Sequence, residues 1–180
     1  MAWNIYCLEG EWSFDLRDDS SVRDVLGVLA RNDGVKNIHR DVATADDLTQ
    51  YLRRWSDARY RDYRIGYLAL HGSPGRVVFR RAKVPIAHIA ENAQGSCAGK
   101  IVFLSSCAVG ADRRQLERFK RLTGARAVCA YTKDADWTPS AAFDLMLLHA
   151  LAWFESLPRA DRWVRKHAKG LYDHVGFTIS

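Results

Sequence analysis

The sequence has no long apolar run. No hydrophobic stretch approaches the roughly 20 residues a membrane-spanning helix needs, so no membrane contact is expected. Cysteine is scarce, and the four present (Cys7, Cys97, Cys107, Cys129) show no CxxC spacing. No two Cys or His residues sit at zinc-ligand spacing. Neither a metal nor a disulfide framework is expected, and the four thiols read as free in a reducing compartment. A glycine-rich phosphate loop of the Walker or Rossmann pattern is also missing, and no cofactor is expected. The N-terminal MAWNIYCLEGEW lacks the basic-then-apolar pattern of a secretory signal, so the expected location is cytoplasmic. Linkers, internal repeats and low-complexity segments are absent, and residues 1–180 read as one domain with enough chain to bury a core.

Charge excludes little. Lys and Arg number 27 against 21 Asp and Glu, a net +6. Such a surface attracts nucleic acid or an acidic partner. However, the basic residues are spread along the chain. The densest run, residues 159–169, reads as the solvated face of a helix. Nucleic-acid binding rests on net charge alone and ranks last.

What is present is an alternation of short apolar runs and helical patterns. Strands are expected at residues 3–8, 35–42 (weaker), 64–70, 100–106, 125–131 and, last, 174–179, with a small strand or hairpin at 76–79. Between them, Val22, Val25, Leu26 and Leu29 recur at helical spacing over 22–31. Thr44 is placed to cap a helix with Leu48, Leu52 and Trp55 on one stripe. Pro85 opens another, Gly124 closes the helix of 112–123 as its C′ residue, and 141–154 and 159–169 complete the set. Strand–helix alternation over the whole length predicts an α/β fold, a mostly parallel sheet with helices on both faces. Functional groups in such sheets collect outside the carboxyl ends of the strands.

Two strands end in reactive side chains. IGYLALHGSPG (residues 65–75) runs from apolar residues into His71 and Gly72, and KIVFLSSCAVG (100–110) runs into Cys107. If the strands are parallel neighbours, an imidazole and a thiol reach the same rim. A thiolate is the active nucleophile. The imidazole would take its proton and later protonate the leaving amine. Acyl transfer also needs donors for the oxyanion: Gly72, with no side chain, and the N–H of Cys107 itself are the candidates. Each residue alone is more ordinary, a core cysteine and a turn histidine.

The blocks Tyr67-Leu-Ala-Leu-His71-Gly72 and Ile101-Val-Phe-Leu-Ser-Ser106-Cys107 resemble the strand-His-Gly and strand-Cys blocks of clan CD, the caspase-like cysteine peptidases, with a flavour closest to the bacterial CHAT-type proteases. The resemblance implies a three-layer caspase-like fold with a six-stranded sheet of order 2-1-3-4-5-6. It also implies a His71/Cys107 dyad hydrolysing peptide bonds in a protein substrate. Acidic pockets in the clan select Arg or Lys at P1. Glu9 and Glu11 after the first strand, and Asp134 and Asp136 after the fifth, are the carboxylates expected at the rim, with Trp12 and Trp137 beside them as pocket walls or ordinary packing residues. The chain is short for the clan, which favours a single-chain enzyme, with a regulatory partner protein as a further expectation. The competing reading is a catalytically silent caspase-like domain used as a protein-interaction module.

Overall fold

The computed structural model describes residues 2–80, 82–154 and 156–180. A six-stranded sheet forms its centre. Strands β1 (Asn4–Glu9), β2 (Asn37–Asp41), β3 (Tyr63–Ala69), β7 (Ile101–Ser105), β8 (Ala127–Tyr131) and β9 (Phe177–Ile179) lie in the order β2-β1-β3-β7-β8-β9. The first five run parallel, and β9 pairs antiparallel with β8. This is the expected order. Between β3 and β7 three short strands, β4 (His71–Ser73), β5 (Arg76–Phe79) and β6 (Ala82–Pro85), make a separate antiparallel sheet.

Alternation along each central strand sends side chains to two cores. Ile5, Cys7, Tyr67, Phe103 and Cys129 face one side, covered by α1 (Arg23–Asp33), α5 (Trp137–Trp153), α6 (Leu157–His167) and α7 (Lys169–Val175). Tyr6, Leu8, Leu68, Leu104 and Val128 face the other, under α2 (Ala45–Trp55), α3 (Ile86–Asn92) and α4 (Arg113–Thr123). Burial on both faces explains why the parallel strands read as continuous apolar runs. The helix ends follow their sequence signals. Thr44 and Asp47 form a capping box at α2, and Gly124 closes α4 in the left-handed region.

Three segments differ from expectation. Helix α5 starts at Trp137 rather than at residue 141, because Pro139 falls in its first turn, where no intrahelical N–H bond is lost. His174 belongs to a helix, α7, and the last strand shrinks to Phe177–Ile179 after Gly176 stops that helix. His71–Ser73 is a strand, with the turn confined to Pro74 and Gly75. The basic run on α6 is exposed, as a solvated face should be.

One glycine sets a helix–sheet distance. A Cβ on Gly66 of β3 would lie 2.6 Å from the Trp55 ring. The indole is fully buried, stacks on Tyr6 at 5.3 Å and donates to the Tyr63 carbonyl at 2.8 Å. Gly66→Ala should therefore overpack this core and cost about 1–3 kcal/mol, read as a lower denaturant midpoint at unchanged slope.

Candidate active site

The site is built where β3 and β7 end. Leu70 N–H donates to the Ser105 carbonyl at 3.3 Å, and the chain turns directly into β4 with His71 as its first residue. Beyond β7, Ser106 is buried, Cys107 half-buried and Ala108 held at φ 53°, in the left-handed region. Two backbone bonds pin this loop. Ala108 N–H donates to the Lys133 carbonyl at 2.9 Å, and the Val109 carbonyl accepts from Gly75 N–H at 3.1 Å. The thiol loop is thus tied to the loop after β8 on one side and to the β4–β5 hairpin on the other. Gly72 makes the closest approach. A Cβ there would lie 2.6 Å from the Cys107 carbonyl oxygen and 2.8 Å from Ser106 Cβ.

His71 and Cys107 line one cleft of about 210 Å³. Trp12 and Trp137 wall it, their rings edge-on at 4.9 Å, and Ser105, Ser106, Tyr131 and Asp144 lie deeper. His71 is exposed and sits edge-on to Trp12 at 5.2 Å. Its Nε2 lies 2.8 Å from the Trp12 carbonyl oxygen. A carbonyl only accepts, so Nε2 carries the proton and, in the neutral ring, Nδ1 keeps its lone pair. The Cys107 thiol donates to the Ala135 carbonyl at 3.7 Å. All four cysteines are free, and Cys107 is the one not buried.

The cleft's buried acid is Asp144, a residue the sequence reading passed over. Its carboxylate accepts from Tyr67 Oη at 2.5 Å, from Ser105 Oγ at 2.7 Å and from Tyr131 Oη. Burial pushes the carboxyl up to about 6, against the pull of these three hydrogen bonds. The same burial, together with the Asp144 charge, raises both tyrosines. Among the described residues no Lys, Arg or His forms an ion pair with it. The available signal was an aspartate inside an otherwise apolar helical stretch, flanked by Phe143, Leu147 and Leu148.

Glu9 requires a correction, because it does not line the cleft that holds His71 and Cys107. It is buried, and both oxygens are fully engaged. Oε1 accepts from the Trp12 indole at 2.6 Å and from Val22 N–H at 2.7 Å. Oε2 accepts from Ser21 Oγ at 2.7 Å and meets His39 Nε2 at 2.5 Å. Burial alone would raise this carboxyl, but the four bonds together hold it below the usual carboxylate range. No acceptor is left for a substrate. Asp134 and Asp136 are exposed and do not line the cleft, which Ala135 and Trp137 between and beside them do. Glu11 pairs with Arg80 at 3.2 Å. Glu9, His39 and Asp41 form a cluster of metal-ligand type. With Glu9 saturated and Asp41 paired with Arg23, it leaves an ion only the unpartnered Nδ1 of His39. A larger groove of about 570 Å³ lies across Trp12 and is lined by seven acids, Glu9 among them; Asp15, Asp41 and Glu11 are paired with Arg17, Arg23 and Arg80.

This architecture is the caspase-like α/β fold. The chain belongs to a family of unknown function (DUF6642), which matches residues 2–178. No curated protein matches it. Among solved structures it resembles the complex of Porphyromonas gingivalis RgpB pro- and mature domains, from the caspase-like gingipain family, with a TM-score of 0.62 and 12% identity. The match covers 99% of this chain and 47% of that one, so the chain spans about half of its neighbour's length.

Two outcomes follow from the geometry. Asp144 is raised in the folded state, so its stabilising contribution is fully present below about pH 4 and is lost as pH rises through about 6. Against Asp144→Asn, wild-type stability should fall by up to about 3 kcal/mol between those limits, measured as denaturant midpoints across pH. Gly72→Ala should displace the Cys107 loop, costing about 1–3 kcal/mol and abolishing reactivity of the thiol toward substrate-like electrophiles.

Proposed function

We propose that the protein is a cysteine endopeptidase using a His71/Cys107 dyad. The observation carrying this reading is that the one incompletely buried thiol shares a walled cleft with an imidazole whose Nε2–H is committed to the Trp12 carbonyl. That commitment leaves Nδ1 as the base. In the reaction Nδ1 takes the thiol proton as sulfur attacks the scissile carbonyl carbon. The tetrahedral oxyanion forms, the C–N bond breaks, and the leaving amine takes the proton from His71. Water, deprotonated by the same nitrogen, then hydrolyses the thioester.

Gly72 and Cys107 N–H groups serve as oxyanion donors. The Ser73–Arg76 pair closes the two-residue hairpin turn, so the next pair, Gly72–Val77, is a non-hydrogen-bonded pair of the antiparallel ladder. The Gly72 N–H is therefore turned away from β5 and available. Asp144 takes over the substrate role expected of Glu9, Asp134 and Asp136. A buried carboxylate that lines a cleft and has no cation beside it among the described residues favours a substrate that brings one, and a P1 Arg or Lys does so with an apolar stem to lie between Trp12 and Trp137. Asp134 and Asp136 contribute at most a field at the rim.

The silent-module reading keeps one supporting observation. The thiol and the imidazole each hydrogen-bond to a backbone carbonyl and not to each other. In a free enzyme such contacts commonly tighten only on substrate binding. A regulatory protein or segment over the cleft is the partner expected in either case.

An arginine-directed acyloxymethyl ketone should label the wild type and not Cys107→Ala, and His71→Ala should slow labelling by about 10²–10⁴-fold. Equal labelling of Cys107→Ala overturns the dyad. Asp144→Asn should reduce the rate ratio of cationic to neutral P1 probes at least about tenfold. In the wild type that ratio should fall as pH drops through about 6, because Asp144 loses its charge there, while effects on the dyad cancel in the ratio.

A further inference from the structure

Residues 10–22 link β1 to α1 without regular structure of their own, apart from isolated turns. A loop of that length in a compact fold is normally anchored or functional. Here one carboxylate anchors both of its ends. Glu9 sits at the last position of β1. It accepts from Trp12 near the start of the loop and from Ser21 and Val22 at its end. The fourth bond comes from His39 on the edge strand β2, whose side chain is only 8% exposed. With its indole N–H fixed at 2.6 Å from Glu9, Trp12 has little freedom to rotate. Its carbonyl is the group that meets His71 Nε2, and its ring is the surface against which the imidazole packs.

We propose that Glu9, completed by His39, is a positioning residue for His71. It acts through Trp12 and sets both the tautomer and the orientation of the imidazole. The inference rests on the peptidase reading for its catalytic consequence, but not for its structural one. Glu9 does not touch the cleft. Its effect passes along a chain of hydrogen bonds: His39 to Glu9, Glu9 to the Trp12 indole, Trp12 carbonyl to His71. If the staple is lost, the loop is released at both ends, the carbonyl no longer selects Nε2–H, and Nδ1 is protonated in a fraction of molecules. A ring protonated on the nitrogen that should act as base cannot accept the thiol proton.

The variants follow from the donor set. Trp12→Phe keeps an aromatic wall and the carbonyl but removes the indole donor. Glu9→Leu removes every acceptor. Glu9→Gln can still accept from Trp12 and Val22 through its amide oxygen while its NH₂ faces Ser21 and a tautomerised His39, so it should rescue. His39→Gln serves as a milder probe should Glu9→Leu fail to fold. The ¹⁵N imidazole spectrum of His71, assigned by comparison with His71→Ala in a Cys107→Ala background, reads the tautomer without any turnover. Labelling kinetics in the Cys107-containing chain read the consequence.

The wild type should show Nε2–H at His71. Trp12→Phe and Glu9→Leu (or His39→Gln) should show a mixed tautomer, with maximal labelling slowed roughly ten- to hundredfold and probe affinity little changed, and Glu9→Gln should stay close to wild type. An unchanged His71 tautomer in folded Trp12→Phe and Glu9 or His39 variants overturns the proposal, whatever their activity. A shifted tautomer in a protein that never labels supports the positioning role and removes the peptidase reading instead.

Discussion

A single buried carboxylate joins four elements of this fold. Asp144 on α5 accepts hydrogen bonds from Tyr67 on β3, Ser105 on β7 and Tyr131 on β8. These are three adjacent strands of the parallel sheet, gripped near their carboxyl ends. Burying an unpaired charge is costly, and neutral hydroxyls only partly offset it. The arrangement nevertheless fixes how far α5 sits from the sheet, and with it the depth of the cleft. The aromatic rings carrying two of the hydroxyls pack around Phe103, Tyr67 stacked at 5.7 Å and Tyr131 edge-on at 5.6 Å. The polar contact and the apolar core therefore specify the same geometry.

Above that anchor the chain is forced into close quarters. Gly72 approaches the Cys107 backbone more closely than any side-chain-bearing residue allows, and Ala108 occupies a conformation that costs of order 1 kcal/mol or more outside glycine. The backbone bonds to Lys133 and Gly75 hold that conformation. Strain concentrated on the residue after a half-buried thiol, on loops carried by a rigid sheet, is the pattern of a site where precise placement has been favoured over local comfort.

Much of this was legible in the chain. The strand–helix alternation, the α2 cap, the helix stop at Gly124 and the placing of His71 and Cys107 at one cleft follow from periodicity, capping chemistry and the rule that parallel strands deliver their ends to one rim, whereas the strand order was implied by the caspase-like resemblance. Trp12 and Trp137 as cleft walls were also within reach, because they flank the expected rim loops. Less accessible were features that depend on three-dimensional partners. Asp144 stands in an apolar helix, and only the fold reveals that three strands supply its donors. Glu9 looked like a loop acid because Gly10 follows it. The strand in fact extends through Glu9, and register with Asp41 turns its side chain inward toward His39. Helix α7 was hidden because Ala168, which separates it from α6, carries no breaker signal.

Glu9 and Asp144 show why composition could not assign roles to carboxylates here. Both are buried at 3% and 2% exposure, yet their environments push in opposite directions. Glu9 collects four donors, among them a backbone N–H and an imidazole, and its carboxyl is lowered below the ordinary range. Its hydrogen-bonding capacity is spent inside the protein. Asp144 receives three hydroxyls and, among the described residues, no cation, and its carboxyl is raised. It lines the cleft without an ion-pair partner among the described residues. Two acids whose environments separate them in this way are suited to different tasks. The saturated one holds the scaffold, and the other keeps a charge that only hydroxyls offset. A carboxylate's contribution is decided by what neutralises it, which sequence proximity to a rim does not encode.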